Sequence, residues 1–446
     1  MTRLVCLAAA AIITAGCASA SATGPGSPDG AASIVPGSAT AFVAARTDLD
    51  APEWHSIGAP FLKQYDTLKP ALGDELDVAV LPGAQVVAFT QPQDATQLET
   101  LARKQGYVTR TIGGWTAVAK TQAILDGVAT AKTHLAQSAR FTEAMERLPN
   151  DALVRAYASG GRTEQLIASI PGQLETSLAP SGMRYHRSNR SSRQGFAVAD
   201  AGFRWGSAAL MSRDGGFTLE AFAQPGILTS PGAPRYVVHS IAPYRPGLVD
   251  EIPAGVLAVV DVELPTGTFE NLPQLPAALA KLFVPALAPE LSLRLDQLLG
   301  GETALYVRPS LPTPEVTLVT QPADTDAALQ ALDILQRGAV QKPKLYRAVI
   351  GGQLVLSTTQ KGIDDFRSGG PRLSSDRAFV EAAKRAKMPD LTTGFAYANL
   401  KTVLPLLRLA GIQLPAGLPE LGSLLAYGAE DGGLSTFTAV VGPVSS

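Results

Sequence analysis

The chain reads as an α+β protein of two tandem copies of one unit, each a largely antiparallel sheet with helices on one face. Three features lead there: an ordered internal repeat, short apolar runs separated by Gly-rich turns, and helical periodicity between those runs. The repeat carries most weight. Ile34-Val35-Pro36-Gly37 before Ala41-Phe42-Val43-Ala44 recurs as Glu251-Ile252-Pro253-Ala254 before Ala258-Val259-Val260. Thr90-Gln91-Pro92 followed by Asp94 recurs as Thr320-Gln321-Pro322 followed by Asp324, and Ile112-Gly113-Gly114 as Ile350-Gly351-Gly352. Phe141-Thr142-Glu143-Ala144 recurs as Phe379-Val380-Glu381-Ala382, Ala156-Tyr157-Ala158 as Ala396-Tyr397-Ala398, and Asp214-Gly215-Gly216 as Asp431-Gly432-Gly433. The order is kept and the offset drifts through 217, 230, 238, 238, 240 and back to 217, which chance matches do not do. The boundaries follow: 1–16 an export signal, 17–33 a lipidated cysteine and disordered tether, 34–230 the first copy, 231–250 a linker, and 251–444 the second copy.

Within the first copy, Ala39–Arg46 is a short strand after a proline. Trp54–Leu68 places Ile57, Phe61, Leu62, Tyr65 and Leu68 at helical spacing. Val78–Leu81, Pro82-Gly83 and Gln85–Phe89 predict strand, turn and strand. Asp94 is placed to cap a helix over Ala95–Gln105, with Leu98 and Leu101 inward. Gly113-Gly114 between Tyr107–Ile112 and Trp115–Lys120 predicts a two-residue hairpin, since glycine accepts positive φ. Helices are expected over Gln122–Leu135, Arg140–Leu148 and Thr163–Ile170, a strand over Leu153–Ala158, and a hairpin over Phe203–Met211 and Phe217–Phe222. In the second copy, Leu272–Leu299 and Val403–Leu425 are rich in Leu and Pro, and the prolines are expected to end each helix early. These stretches pack on the sheet in the simpler reading and line an acyl-chain groove in the sharper one.

The last fall in offset, from 240 to 217, means that the first copy holds 23 extra residues. They contain a basic insertion at about 181–200, with Arg184, Arg187, Arg190 and Arg193 every third residue and no acid until Asp200. A solvated loop explains the composition. The alternative is an anion contact, to phospholipid headgroups or acidic cell-wall polymer, at about 1 kcal/mol per arginine near an anionic surface.

The N-terminus carries Arg3, an apolar run from Leu4 to Ala15, and Gly16-Cys17, the pattern of a secretory signal. The run is shorter than the roughly 20 apolar residues that span a bilayer. Thr14-Ala15-Gly16-Cys17 resembles the bacterial lipobox, which implies that Cys17 is acylated and becomes the first mature residue; Thr14 stands where Leu is usual. Ala18-Ser19-Ala20 offers an ordinary cleavage site near Ala20 instead, which would release a soluble protein.

Lys plus Arg is 37 and Asp plus Glu is 39, a net charge of −2, so no basic excess is present for a nucleic-acid partner. The two cysteines, Cys6 and Cys17, both lie in the first 17 residues, and the four histidines have no metal-ligand spacing. No nucleophile elbow, phosphate loop or dinucleotide fingerprint appears. The pairs Asp74-Glu75, Asp364-Asp365 and Glu430-Asp431 are adjacent in sequence and so point apart, unlike a glycosidase pair facing across a cleft. His55 and His134 read as structural or surface residues, and His239 as part of the linker or an adjacent strand. No cofactor is expected.

The Pro-led first strand, Trp54, the Thr-Gln-Pro-x-Asp turn before a helix, the Gly-Gly hairpin and the passage from Phe141 through Leu148-Pro149 to Ala156-Tyr157-Ala158 together resemble an exported bacterial family catalogued as domain of unknown function 3352. The resemblance covers most of 34–442; it implies export and carries no catalytic residue over. The sequence therefore leads to a membrane-anchored lipoprotein of the cell envelope, on the outer face of the cell membrane. It is expected to bind or scaffold without catalysis, with an envelope protein, cell-wall polymer or lipid as partner. The alternatives are a carrier of an apolar ligand and an envelope hydrolase with an unrecognised site.

Overall fold

The described residues hold sixteen strands that form one antiparallel sheet. A computed structural model describes residues 30–48, 51, 54, 68–160, 203–213, 215–226, 242–264, 297–310, 313–338, 345–409 and 421–443. The first half supplies β1 (Ala41–Arg46), β2 (Glu75–Leu81), β3 (Gln85–Thr90), β4 (Val108–Ile112), β5 (Trp115–Ala119), β6 (Val154–Ser159), β7 (Phe203–Arg213) and β8 (Gly216–Pro225). The second supplies β9 (Ala258–Leu264), β10 (Gly301–Arg308), β11 (Glu315–Thr320), β12 (Tyr346–Ile350), β13 (Gln353–Ser357), β14 (Gly394–Ala398), β15 (Leu421–Asp431) and β16 (Leu434–Pro443). Across the sheet the order is β12-β13-β11-β10-β9-β14-β15-β16-β8-β7-β6-β1-β2-β3-β5-β4. Read outward from the central β8–β16 pair, the two halves take the same order. That pair runs antiparallel from Phe217 opposite Val441 to Ala223 opposite Ser435.

Eight α-helices lie among the described residues: α1 (Lys69–Leu72), α2 (Ala95–Lys104), α3 (Gln122–Ala129), α4 (Ala139–Met145), α5 (Thr325–Gly338), α6 (Gln360–Arg367), α7 (Arg377–Ala386) and α8 (Leu400–Leu409). Asp94 caps α2 as its position in the sequence implies, accepting from Gln97 N at 2.9 Å. Gly113 and Gly114 turn the β4–β5 hairpin at φ 56° and 85°, and Gly351 and Gly352 repeat this between β12 and β13 at 60° and 88°.

Helices cover both faces of the sheet, not one. On β3, Phe89 joins the large core beneath α3 and α4, while its neighbour Ala88 packs with Leu98 and Ala102 of α2 on the other face. In the second half, Val319 of β11 faces the core of α6 and α7, and Leu318 packs with Ala328 and Leu332 of α5. Successive strand residues point to opposite faces, so a strand with apolar residues at consecutive positions needs cover on both. The larger cores are tied by aromatic contacts. Phe141 of α4 meets Phe42 at 5.6 Å and Tyr157 at 5.2 Å, and Phe379 of α7 meets Tyr397 at 5.3 Å. Burying a Phe side chain contributes about 1.5–3 kcal/mol, so these contacts fix both helices to the sheet.

Four further expectations are corrected. Part of the expected tether is packed: a 3-10 turn over Gly30–Ser33 buries Ala31 and Ala32 in the core. Part of the expected linker is docked too: Tyr244 and Leu248 are buried, and Tyr244 bridges Thr392. The helix expected to reach Leu135 ends at Ala129, where Thr130 Oγ1 bonds Asp126 O and the chain turns so that His134 bridges Pro36. Pro405 lies inside α8 rather than ending it. Lys401, whose carbonyl loses its helical partner to Pro405, is exposed. The helices expected over Trp54–Leu68 and Thr163–Ile170, and almost all of Leu272–Leu299, lie outside the described residues.

Candidate functional site

The two halves differ where the loop before β1 or β9 meets the start of α4 or α7. In each half a 3-10 turn, Leu135–Gln137 or Leu373–Ser375, leads into the helix through one N-cap residue. That residue is Ser138 in the first half and Asp376 in the second, in similar backbone geometry: φ −80° and ψ 117° for Ser138, φ −69° and ψ 117° for Asp376.

Asp376 closes the second half. Its Oδ1 accepts from Ala378 N at 2.9 Å and Phe379 N at 3.3 Å, and its Oδ2 accepts from Gly255 N in the facing loop at 2.9 Å. Ser138 makes no side-chain cap bond, and its single hydroxyl cannot serve both the helix start and the facing loop as the two carboxylate oxygens of Asp376 do. Among the described residues, the amide of Ser38, the counterpart of Gly255, makes no hydrogen bond. The gap is an open cleft of about 440 Å³, lined by Ser38, Ser138, Arg140, Tyr157, Ser159 and Gly160 among others.

Among the described residues that line the cleft, one is a cation. Arg140 stands where the second half has Ala378, and it forms no ion pair among the described residues. Tyr157 forms the buried wall; burial raises its phenol above the usual value, opposed by its bond to Ser159 and by the Arg140 charge. The arrangement suits a small anionic group: a loop amide, serine hydroxyls and one guanidinium converge where the other half holds a carboxylate. A second, shallower depression of about 540 Å³ runs along α4 between Thr142, Glu143, Glu146 and Arg147.

A second polar cluster is buried in the other half, away from both clefts. Asp261 on β9 is 0% exposed and faces the core. Its Oδ1 accepts from Tyr244 at 2.5 Å, and its Oδ2 has no partner. Burial pushes its carboxyl up to about 7, against the Tyr244 bond and with the help of nearby Glu302. Glu302 accepts from Leu248 N at 2.8 Å and is likewise raised by burial.

Cys17 and all of Arg184, Arg187, Arg190 and Arg193 lie outside the described residues, as do His55, His186 and His239. His134 starts the 3-10 turn, where its amide donates to Gln137 Oε1 at 3.0 Å. The sequence reading passed over Ser138, Arg140, Tyr244, Asp261 and Glu302. Two signals mark them: the serine-for-aspartate exchange three residues before the repeated Phe-x-x-Ala, and Asp261 in the inward register of Val259. Among the described residues, no three His, Cys, Asp or Glu residues could hold a metal ion, and no helix is long and apolar enough to cross a membrane. No protein-family model, curated protein or solved structure matches the chain.

Proposed function

We propose that this protein is a binding protein of the cell envelope that works without catalysis, is anchored through an acylated Cys17, and takes an anionic group in the cleft at Ser138 and Arg140. The observation that carries this reading is the contrast between the halves: Asp376 bridges α7 and the facing loop in one, and an open cleft with an unpaired arginine takes its place in the other. A phosphate or carboxylate of a lipid headgroup or an acidic envelope polymer has the chemistry to replace that carboxylate. Two acyl chains on Cys17 would hold the body close to such ligands, since each buried CH₂ contributes about 0.8 kcal/mol. The resemblance to the exported family agrees with this location. The cross-strand neighbours Val260 and Leu305, both about half exposed, supply an apolar contact for a scaffolding role.

The same reading makes the two halves copies of one unit. The shared strand order supports this, as does the matching role of Phe141 and Phe379. The alignment needs one adjustment: Arg213 opposes Gly216 while Asp431 opposes Leu434, so the hairpins correspond at an offset one greater than the Asp-Gly-Gly match. In this reading the copies differ at one place: one holds a built-in carboxylate where the other presents a cation.

Native mass spectrometry of the mature protein from its native host, before and after solvent extraction, tests the reading. An anionic ligand lost on Arg140→Ala supports it. A bound apolar molecule that survives that substitution makes the protein a carrier instead and overturns it.

A further inference from the structure

We propose that the contact between Tyr244 and Asp261 is a protonation-dependent latch: it holds the segment 242–247 on the second half of the sheet while Asp261 carries a proton, and loosens when Asp261 ionises. The proposal stands apart from the cleft and concerns the strap of chain that leads into β9.

The strap is held firmly where it nears β9: Leu248 and Ile252 are fully buried in the core, and Glu251 accepts from Gln353 Nε2 at 2.6 Å and, through its carbonyl, from Arg372 at 2.6 Å. Tyr244 exchanges backbone hydrogen bonds with Thr392, at 2.8 Å and 2.9 Å. Leu248 N donates to Glu302, and Ile252 O accepts from Leu373 N at 2.8 Å. The side-chain anchor of 242–247 is Tyr244, buried with its hydroxyl on Asp261 Oδ1 at 2.5 Å. Asp261 is fully enclosed, and its second oxygen meets no donor.

The surroundings favour the neutral carboxyl. From the strap, Asp261 faces the Tyr244 phenol; from β10 it faces Glu302, beside the uncharged Ala304 directly across; from β14 it faces Phe395. Along β9, Glu263 acts on Tyr244 and Glu302, and Glu251 acts on Glu302. All these charged groups are acids. No lysine, arginine or histidine forms an ion pair with Asp261 among the described residues. Arg245, next along the strap, points outward to Asp390, where both side chains are exposed. An ionised Asp261 is therefore an enclosed anion among acids, steadied by one phenol bond. Lifting the strap lets water reach the carboxylate and removes that cost, so opening and proton release are coupled.

The first half lacks this device. There Ala44 occupies the position of Asp261, and the acid, Asp77, stands across on β2 and accepts from Ala31 N at 3.1 Å. The latch thus belongs to the segment joining the two halves.

Hydrogen exchange of the full chain, followed by mass spectrometry and divided by the intrinsic chemical rate at each pH, reads the opening directly. With Asp261 titrating near 7 when enclosed and near 3.8 when hydrated, amides of 242–247 should open roughly tenfold more often at pH 8.5 than at pH 6. In Asp261→Asn, neutral at every pH, the ratio should fall to about one. An equal ratio in the wild type and in Asp261→Asn overturns the latch, as does a ratio of one in the wild type. Should Asp261→Asn misfold, the carboxyl ¹³C shift of Asp261 in the wild type decides: a midpoint near 7 supports the latch, and one below 5 overturns it.

Discussion

Ser138→Asp places in the first half the carboxylate that Asp376 supplies in the second. The backbone is already in position, since both N-caps share ψ 117° and differ in φ by only a few degrees, −80° against −69°. The new side chain should accept from the amides of Arg140 and Phe141, as Asp376 does from Ala378 and Phe379, and from Ser38, as Asp376 does from Gly255. A side-chain N-cap is worth about 1 kcal/mol, and a negative charge at a helix start adds roughly 0.3–1 kcal/mol. The variant should therefore gain about 1–2 kcal/mol and melt a few degrees higher, at roughly 2–4 °C per kcal/mol for units of this size. Because the same carboxylate occupies the cleft, binding of inorganic phosphate should fall at least about tenfold, a loss of about 1.4 kcal/mol. Calorimetric melting and isothermal titration of the two proteins in one buffer measure both effects. A variant no more stable than the wild type that still takes up phosphate equally well would refute the correspondence of the two halves and the assignment of the cleft.

Four further outcomes are expected. Asp376→Ala should lose about 1–2 kcal/mol by denaturant titration, without creating phosphate binding, because Ala378 supplies no charge where the first half has Arg140. Asp94→Ala should cost about 1 kcal/mol by the same measurement, since it removes the bond to Gln97 N that starts α2. Whole-chain stability should fall as pH rises from about 4 to about 7 through Asp261. Its folded-state carboxyl is raised to about 7 from 3.8, so the folded chain holds a proton that the unfolded chain has already released. Asp261→Asn should flatten that slope in urea midpoints taken across the range, and an unchanged slope would remove Asp261 as its source. Cys17→Ala should move the protein from the membrane fraction to the soluble fraction and abolish fatty-acid labelling; continued labelling would place the anchor elsewhere.

Much of the first half's local structure was legible because its signals are local. Asp94 before an apolar-spaced run, and Gly-Gly between alternating strands, specify a cap and a hairpin whatever surrounds them. The face each helix covers was not legible. The apolar stripe of α2 says which of its own residues turn inward, but it cannot say which side of the sheet receives them; that depends on strand parity across β3 and β5. The joining of the halves through β8 and β16 was equally hidden, since both strands carry ordinary alternation and their pairing is set by the fold. The cleft was half legible. The repeat aligns Phe141 with Phe379, and three residues upstream the change from aspartate to serine stands in plain view, but its meaning depends on the loop that Asp376 reaches. Asp261 was missed for a similar reason. An acid in the Val259 register signals a buried charge, but its partner Tyr244 lies in a stretch whose composition reads as linker.

The most direct test of the cleft is an amide NMR titration of the ¹⁵N-labelled chain with inorganic phosphate. Saturable shifts at Ser38, Arg140 and Phe141, with Gly255, Ala378 and Phe379 unmoved, are the expected result. Shifts scattered over the surface, or equal shifts in both halves, would contradict the account.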